Sequence, residues 1–134
     1  MITYREFNTE LIERVKEIYT AEGWTAYLKN DEKLVNAFQN SLYILGAFEE
    51  DKLVGFVRCV GDGEHIVVVQ DLIVDREHQK QGIGTKLFRT MWDKYADVRM
   101  FQVNTDLEDA VDNHFYQSFG MKPLVEGHMI SYFR

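Results

Sequence analysis

The most chemically informative residues in the chain are Gln79-Lys80-Gln81-Gly82-Ile83-Gly84-Thr85. They stand between an apolar run that ends at Val74 and an amphipathic stretch that begins at Ile83. A helix starting here offers unpaired backbone N–H groups and a positive dipole end, and glycines let that backbone come close to a phosphate. The pattern is a pyrophosphate cradle in principle, although a plain loop-to-helix junction uses the same residue types. Two rival cradles fail on inspection. A dinucleotide fingerprint needs a third glycine where Leu87 stands, and a P-loop needs Gly-Lys-Ser/Thr where the chain has Gly84-Thr85-Lys86.

Other chemistry-bearing residues form no such constellation. His65, His78, His114 and His128 lack metal-ligand spacing, so no metal is expected. Asp106, Glu108, Asp109 and Asp112 lack the glycine and terminal glutamate of a calcium loop, and acids at a helix start complement the dipole without any ion. Cys59, inside an apolar strand, reads as a small core residue. As the sole cysteine it makes no internal disulfide, which fits a reducing compartment and a cytoplasmic address.

The elements that must position the cradle follow from composition and periodicity. A chain of 134 residues, 46% hydrophobic with one proline, has room for one compact domain with a real core. Fifteen Lys plus Arg against 22 Asp plus Glu gives −7, a field that repels nucleic-acid backbones and anionic lipid. No signal peptide or membrane anchor is read at Met1-Ile2-Thr3-Tyr4-Arg5-Glu6, and the apolar runs are too short to span a bilayer. The first helix is expected from an Asn8 cap to Gly23, with Leu11, Ile12, Val15, Ile18 and Tyr19 on its apolar stripe. A second starts at an Asn30 cap and buries Leu34, Val35 and Phe38. Three strands follow as a meander: Leu42 to Phe48, Leu53 to Val60 and His65 to Val74. The last is apolar on both faces, with Gln70 and Asp71 interrupting it side by side. A helix bearing Ile83, Leu87, Phe88, Met91, Trp92 and Tyr95 and a strand around Val98 to Val103 complete a βαβ unit. A helix from about Leu107 to Phe119 and a final strand from His128 to Phe133 close the chain.

Gln79-Lys80-Gln81-Gly82-Ile83-Gly84 resembles the Q/R-x-x-G-x-G/A signature of the GNAT superfamily of acyl-CoA-dependent N-acetyltransferases, and Gln70 to Val74 looks like that family's central strand. Asp109-Ala110-Val111-Asp112-Asn113-His114-Phe115-Tyr116-Gln117-Ser118-Phe119-Gly120-Met121 is similar to its N-x-x-A-x-x-L/F-Y-x-x-x-G-F segment, with Asp109, Asp112 and Met121 where Asn, Ala and Phe are common. Gly55-Phe56-Val57-Arg58 with Asp62-Gly63 resembles a small-amine branch. The resemblance implies a single α/β domain over residues 1–134, built on a mixed, splayed sheet flanked by helices. It implies acetyl-CoA as cosubstrate, its pyrophosphate held by backbone from about Gln81 to Thr85 and its pantetheine arm paired with Leu72, Ile73 and Val74. Lys80 would add charge near the phosphates.

Acyl transfer to an amine needs a neutral nucleophile, a polarised thioester carbonyl and a proton for the departing thiolate. Tyr116 suits the last role, its match to the second segment supporting it over a purely packed tyrosine. A backbone N–H near Ile73 would meet the oxyanion. Asp71, flanked by apolar residues, is the expected base, with a structural carboxylate as the alternative and Glu64 and His65 as weaker bases. Gln70 would orient a water or substrate, and Trp24 and Tyr27 would form an aromatic mouth. The expected function is acetyl transfer from acetyl-CoA to a primary amine, a small molecule that is cationic in solution, by direct transfer in a ternary complex. A CoA-binding sensor with weak catalysis is the alternative, and a nonenzymatic interaction domain is third. The sequence leaves a homodimer open.

Overall fold

The structure, a computed structural model, describes residues 1–134 as two compact units, Met1–Val103 and Asn104–Arg134. The first is built on five strands: β1 (Ile2–Glu6), β2 (Tyr43–Glu49), β3 (Lys52–Gly61), β4 (Ile66–Val74) and β5 (Met100–Val103). They stand in the sheet in that order. The first four are antiparallel neighbours, while β4 and β5 run parallel. The parallel pair needs a crossover, which α3 (Ile83–Lys94) provides. Two further helices, α1 (Ile12–Glu22) and α2 (Asp31–Gln39), lie between β1 and β2 in the chain.

β3 is buried without a break from Leu53 to Cys59, which requires cover on both faces of the sheet. On one side Val15, Ile18 and Tyr19 of α1 and Leu34 and Phe38 of α2 join Phe7, Ile44, Phe48, Leu53, Phe56 and Ile73 in one core cluster. α3 packs against β2, β3 and β4 and buries Ile83, Leu87, Phe88 and Met91. Each such large side chain contributes about 1.5–3 kcal/mol when fully buried, so the layers are held mainly by these residues. At Gly46 a Cβ would come within 2.7–2.9 Å of Phe48, Leu53 and Phe7, so the absence of a side chain there lets the aromatic cluster close.

Several expectations need correction. β1 does not stand out in the sequence, because a five-residue edge strand with polar Thr3, Arg5 and Glu6 has little hydrophobic pattern. Asn8 precedes a short 3-10 turn, Thr9–Leu11, without capping it, and donates instead from Nδ2 to the Phe38 carbonyl at 3.2 Å. Asn30 does cap α2, accepting from the Lys33 N–H at 3.0 Å.

In the second unit α4 (Ala110–Ser118) is capped by Asp109, which accepts from the Asp112 N–H at 3.0 Å. No strand forms over His128 to Phe133. The chain leaves a 3-10 turn, Leu124–Gly127, through His128 at φ 61°, and the Met129 N–H turns back to the Leu124 carbonyl. The alternation that reads as a strand has no backbone partner in the sheet.

Candidate active site

The segment between β4 and α3 is tied down by its side chains. Asp75 accepts from Arg14 Nη2 at 2.7 Å, Arg14 Nε donates to the Leu53 carbonyl at 2.8 Å, and His78 Nε2 lies 2.7 Å from Glu49 Oε2. Burial pushes the Asp75 carboxyl up, but its bonds from Arg14 and the Glu77 N–H outweigh that and hold it below the usual range. Gln79 donates from Nε2 to the Val74 carbonyl at 2.9 Å and to Glu22 at 3.2 Å, so it acts as a strut for the loop. Lys80 and Gln81 are exposed, and Lys80 has φ 65°.

α3 begins after Gly82, whose φ is +82° and which offers no side-chain cap. The first intrahelical bond runs from the Lys86 N–H to the Gly82 carbonyl, leaving the N–H groups of residues 82 to 85 without helical acceptors. Ile83 is buried and anchors this turn, Gly84 is half-buried and Thr85 is exposed. Nothing lies within 4 Å of a Cβ built at Gly82, so the space on that side of the turn is open. An uncapped helix start with glycine at its mouth has the donor chemistry that a pyrophosphate requires.

Beside this turn, β4 offers a free edge. β5 pairs only with Ile66 to Val69, while β3 pairs with Asp71 to Val74 on the other side. No strand of the sheet pairs with residues 70–74 on the side away from β3. Leu72, Ile73 and Val74 therefore lie on an edge that no strand covers, with the Val74 carbonyl held by Gln79 Nε2, and the edge suits extension by an amide-bearing chain. At Gln70 the register against β3 passes from Arg58↔Asp71 to Cys59↔Val69, so Gln70 is the extra residue of a bulge.

Asp71, next to the bulge, is 1% exposed and fully engaged. Its Oδ2 accepts from Arg58 Nε at 2.6 Å and from the Tyr19 hydroxyl at 2.6 Å, and its Oδ1 from the Tyr27 hydroxyl at 2.8 Å. Arg58 also donates to Ser41 Oγ at 3.2 Å. Burial pulls the Arg58 guanidinium down, but the charge and hydrogen bond of Asp71, with the Tyr19 and Tyr27 phenols, together outweigh it and hold it above the usual value. Burial first, and Asp71 second, raise both the Tyr19 and the Tyr27 phenols. Gln70, exposed, donates from Nε2 to Tyr27 Oη at 3.0 Å. Trp24 stacks on Tyr19 with ring centres 5.9 Å apart, and Trp24 and half-buried Tyr27 pack against the core. The structure thus brings Asp71, Gln70 and Tyr27 into one network.

Arg58 and Tyr19 complete this network, although neither is expected in the site from its sequence position. The signal for Arg58 is its isolation within Phe56-Val57-Arg58-Cys59-Val60, since a charge in an apolar strand must find a partner. Glu64 and His65 are exposed in the turn just before β4. Cys59 is fully buried, and burial pushes its thiol up to about 12, the state of an inert core residue. No group of three or more His, Cys, Asp or Glu side chains is placed to hold a metal ion.

In the second unit, Tyr116 is 9% exposed and packs edge-on against Phe115 at 5.1 Å. Burial, with smaller contributions from Asp112 and Asp109, raises its phenol well above the usual value, so it stays protonated. No helix is long and apolar enough to cross a membrane.

The acetyltransferase (GNAT) family profile matches residues 6–121. No curated protein matches the chain. Among solved structures, a GNAT-family acetyltransferase from Streptococcus pneumoniae is 34% identical with a TM-score of 0.86, covering 100% of this chain and 97% of that one. The PaiA N-acetyltransferase of Thermoplasma acidophilum, in complex with coenzyme A, shares the fold at 20% identity and TM-score 0.74, covering 91% and 90%. An aminoglycoside acetyltransferase from an uncultured soil metagenomic sample, in complex with sisomicin, does so at 21% identity and TM-score 0.71, covering 99% and 95%. Together with the uncapped glycine turn and the open strand edge, the family match over most of the chain establishes that this protein belongs to the GNAT family of acetyltransferases.

Proposed function

We propose that the protein transfers an acetyl group from acetyl-CoA to a primary amine, that the acceptor is a small molecule, and that transfer is direct within a ternary complex. Residues 1–134 act in this reading as one acetyltransferase domain, and the single buried Cys59 fits a cytoplasmic address. The observation that carries the proposal is the uncapped start of α3 at Gly82 beside the unpaired stretch of β4. The N–H groups of residues 82 to 85 would hold the pyrophosphate, with Lys80 adding charge, and Leu72 to Val74 would pair with the pantetheine amides. Acetyl-CoA supplies the activated thioester. The net reaction turns an ammonium and a thioester into an amide, a thiol and one proton. A fold-sharing acetyltransferase in complex with sisomicin favours a small acceptor.

Tyr116 is the proton donor to the departing sulfur in this proposal. Its phenol stays protonated at neutral pH, which keeps the donor loaded. The reading is tested by heating the protein with increasing acetyl-CoA and then following thiol release with polyamines, arylalkylamines, aminoglycosides, amino acids and peptide N-termini. Saturable stabilisation followed by amine-dependent thiol release is expected. Stabilisation without release from any amine would recast the protein as a CoA-binding sensor, and the absence of both would reject the cradle.

A further inference from the structure

We infer that Tyr27 is the residue that meets the acceptor's N–H, that Asp71 and Arg58 are positioning residues that fix the direction of its hydroxyl, and that the amine is taken up as the free base. The inference rests on the acetyl-transfer reading above. A phenol oxygen carries one proton and two lone pairs. An ionised carboxylate only accepts, so the Tyr27 proton is committed to Asp71 Oδ1 at 2.8 Å. One lone pair takes the Gln70 amide at 3.0 Å, a contact that lies at the surface. The remaining lone pair is an acceptor of fixed direction, complementary to an N–H donor.

The charges decide which form of the amine fits. The titratable groups facing Tyr27 are Asp71 from β4, Arg58 from β3 and Tyr19 from α1. Asp71 and Arg58 cancel each other across 2.6 Å, and the Arg58 guanidinium carbon is 5.7 Å from the centre of the Tyr27 ring. A cation placed there would lose hydration without gaining a net counter-charge, whereas a neutral amine would lose little. Nor is Asp71 an open proton acceptor. Its side chain is 0% exposed, both oxygens are engaged, and its protonation would leave Arg58 buried without its counter-ion. The first proton of the ammonium therefore leaves to solvent before binding, and the nitrogen gives up a second after the N–C bond forms. The base role expected for Asp71 from sequence is replaced by orientation.

The test is calorimetric binding of two amines, with and without CoA, as a function of pH. An alkylamine has a pKa of about 10.4 and an amino-acid amide about 8. Free-base capture predicts that apparent affinity rises about tenfold per pH unit up to each amine's own pKa, levelling first for the amide. Tyr27→Phe should weaken the limiting affinity by about three- to tenfold without moving the pH dependence or the affinity for CoA. An Arg58→Gln/Asp71→Asn variant, which removes both charges together, should show a loss that does not multiply with that of Tyr27→Phe. Levelling at one shared pH for both amines, affinity that is flat or falls with pH, wild-type binding by Tyr27→Phe, multiplying losses, or no binding of either amine would overturn the inference. Amine binding with this pH profile by a protein that fails to bind CoA would sink the acetyl-transfer reading and leave only the capture of a free-base amine at Tyr27.

Discussion

Replacing Arg58 with methionine should cost the fold far more than an ordinary surface substitution, because it strands a buried carboxylate. The Arg58 side chain is 4% exposed and that of Asp71 0%, so water does not replace the lost guanidinium. Tyr19 and Tyr27 would still donate to Asp71, but they are neutral. Breaking a buried pair in this way costs about 3–5 kcal/mol. Against a total stability of about 5–15 kcal/mol that is a large fraction. With an unfolding entropy of about 2.1 cal/mol/K per residue, the midpoint should fall by roughly 10–18 °C. Urea and thermal unfolding followed by circular dichroism measure it, with an unchanged urea slope showing that stability alone has moved. The Arg58→Met/Asp71→Leu/Tyr19→Phe variant should recover to within about 2 kcal/mol of wild type, because an apolar replacement removes the buried charge with its partner. An Arg58→Met loss under about 1 kcal/mol would refute the reasoning, by showing that the pair is solvated.

Gly82→Ala should fold, since its Cβ meets nothing within 4 Å, at a cost of about 1–2 kcal/mol for the left-handed backbone. It should nevertheless weaken acetyl-CoA binding at least about tenfold in calorimetry, the methyl occupying the approach to the amides. Tyr116→Phe should lower turnover by about 10- to 10⁴-fold with little change in acetyl-CoA affinity, and a wild-type rate with chemistry limiting would reduce Tyr116 to a packing role. Asp62 accepts from the N–H groups of Ile66, Glu64 and His65, which hold its carboxyl down at about 2. A depressed folded value adds stability above the unfolded carboxylate range, about 3.9, and that stability is lost as pH falls through 2. The deficit of Asp62→Ala in urea unfolding should therefore be full above pH 4 and shrink toward pH 2, and a pH-independent offset would show that the turn owes nothing to the charge.

Much of the fold could be read where sequence pattern and packing agree. The strands from Leu42 to Val74, the helix from Ile83 and the glycine turn at 82 all carry local signals strong enough to survive tertiary context. The edge strand Ile2–Glu6 does not, because three of its five residues are exposed and its partners in β2 lie 39 to 47 positions away. His128 to Phe133 shows the reverse error: alternation specifies which face is apolar but supplies no partner for the backbone. In the candidate site, the uncapped glycine turn at the start of α3 was legible because its signal is mostly backbone and local. The Asp71 network was not, because Arg58 meets Asp71 only through a register displaced by the bulge at Gln70, and a bulge position leaves no clear mark on an apolar strand. Burial of Asp71 was foreseeable from its neighbours, but the identity of its counter-ion needed the register.

Transfer itself is the most direct measurement. Wild-type protein and the Gly82→Ala variant would be incubated with isotopically labelled acetyl-CoA and the amine panel, with acetylated products identified by mass and thiol release counted in parallel. The expected result is one labelled acetyl group on a primary amine per thiol released, at a rate that falls in Gly82→Ala at subsaturating acetyl-CoA. Folded wild-type protein that leaves every amine unlabelled, or labels them equally well with the cradle blocked, would contradict acetyl transfer from a cosubstrate held at the start of α3.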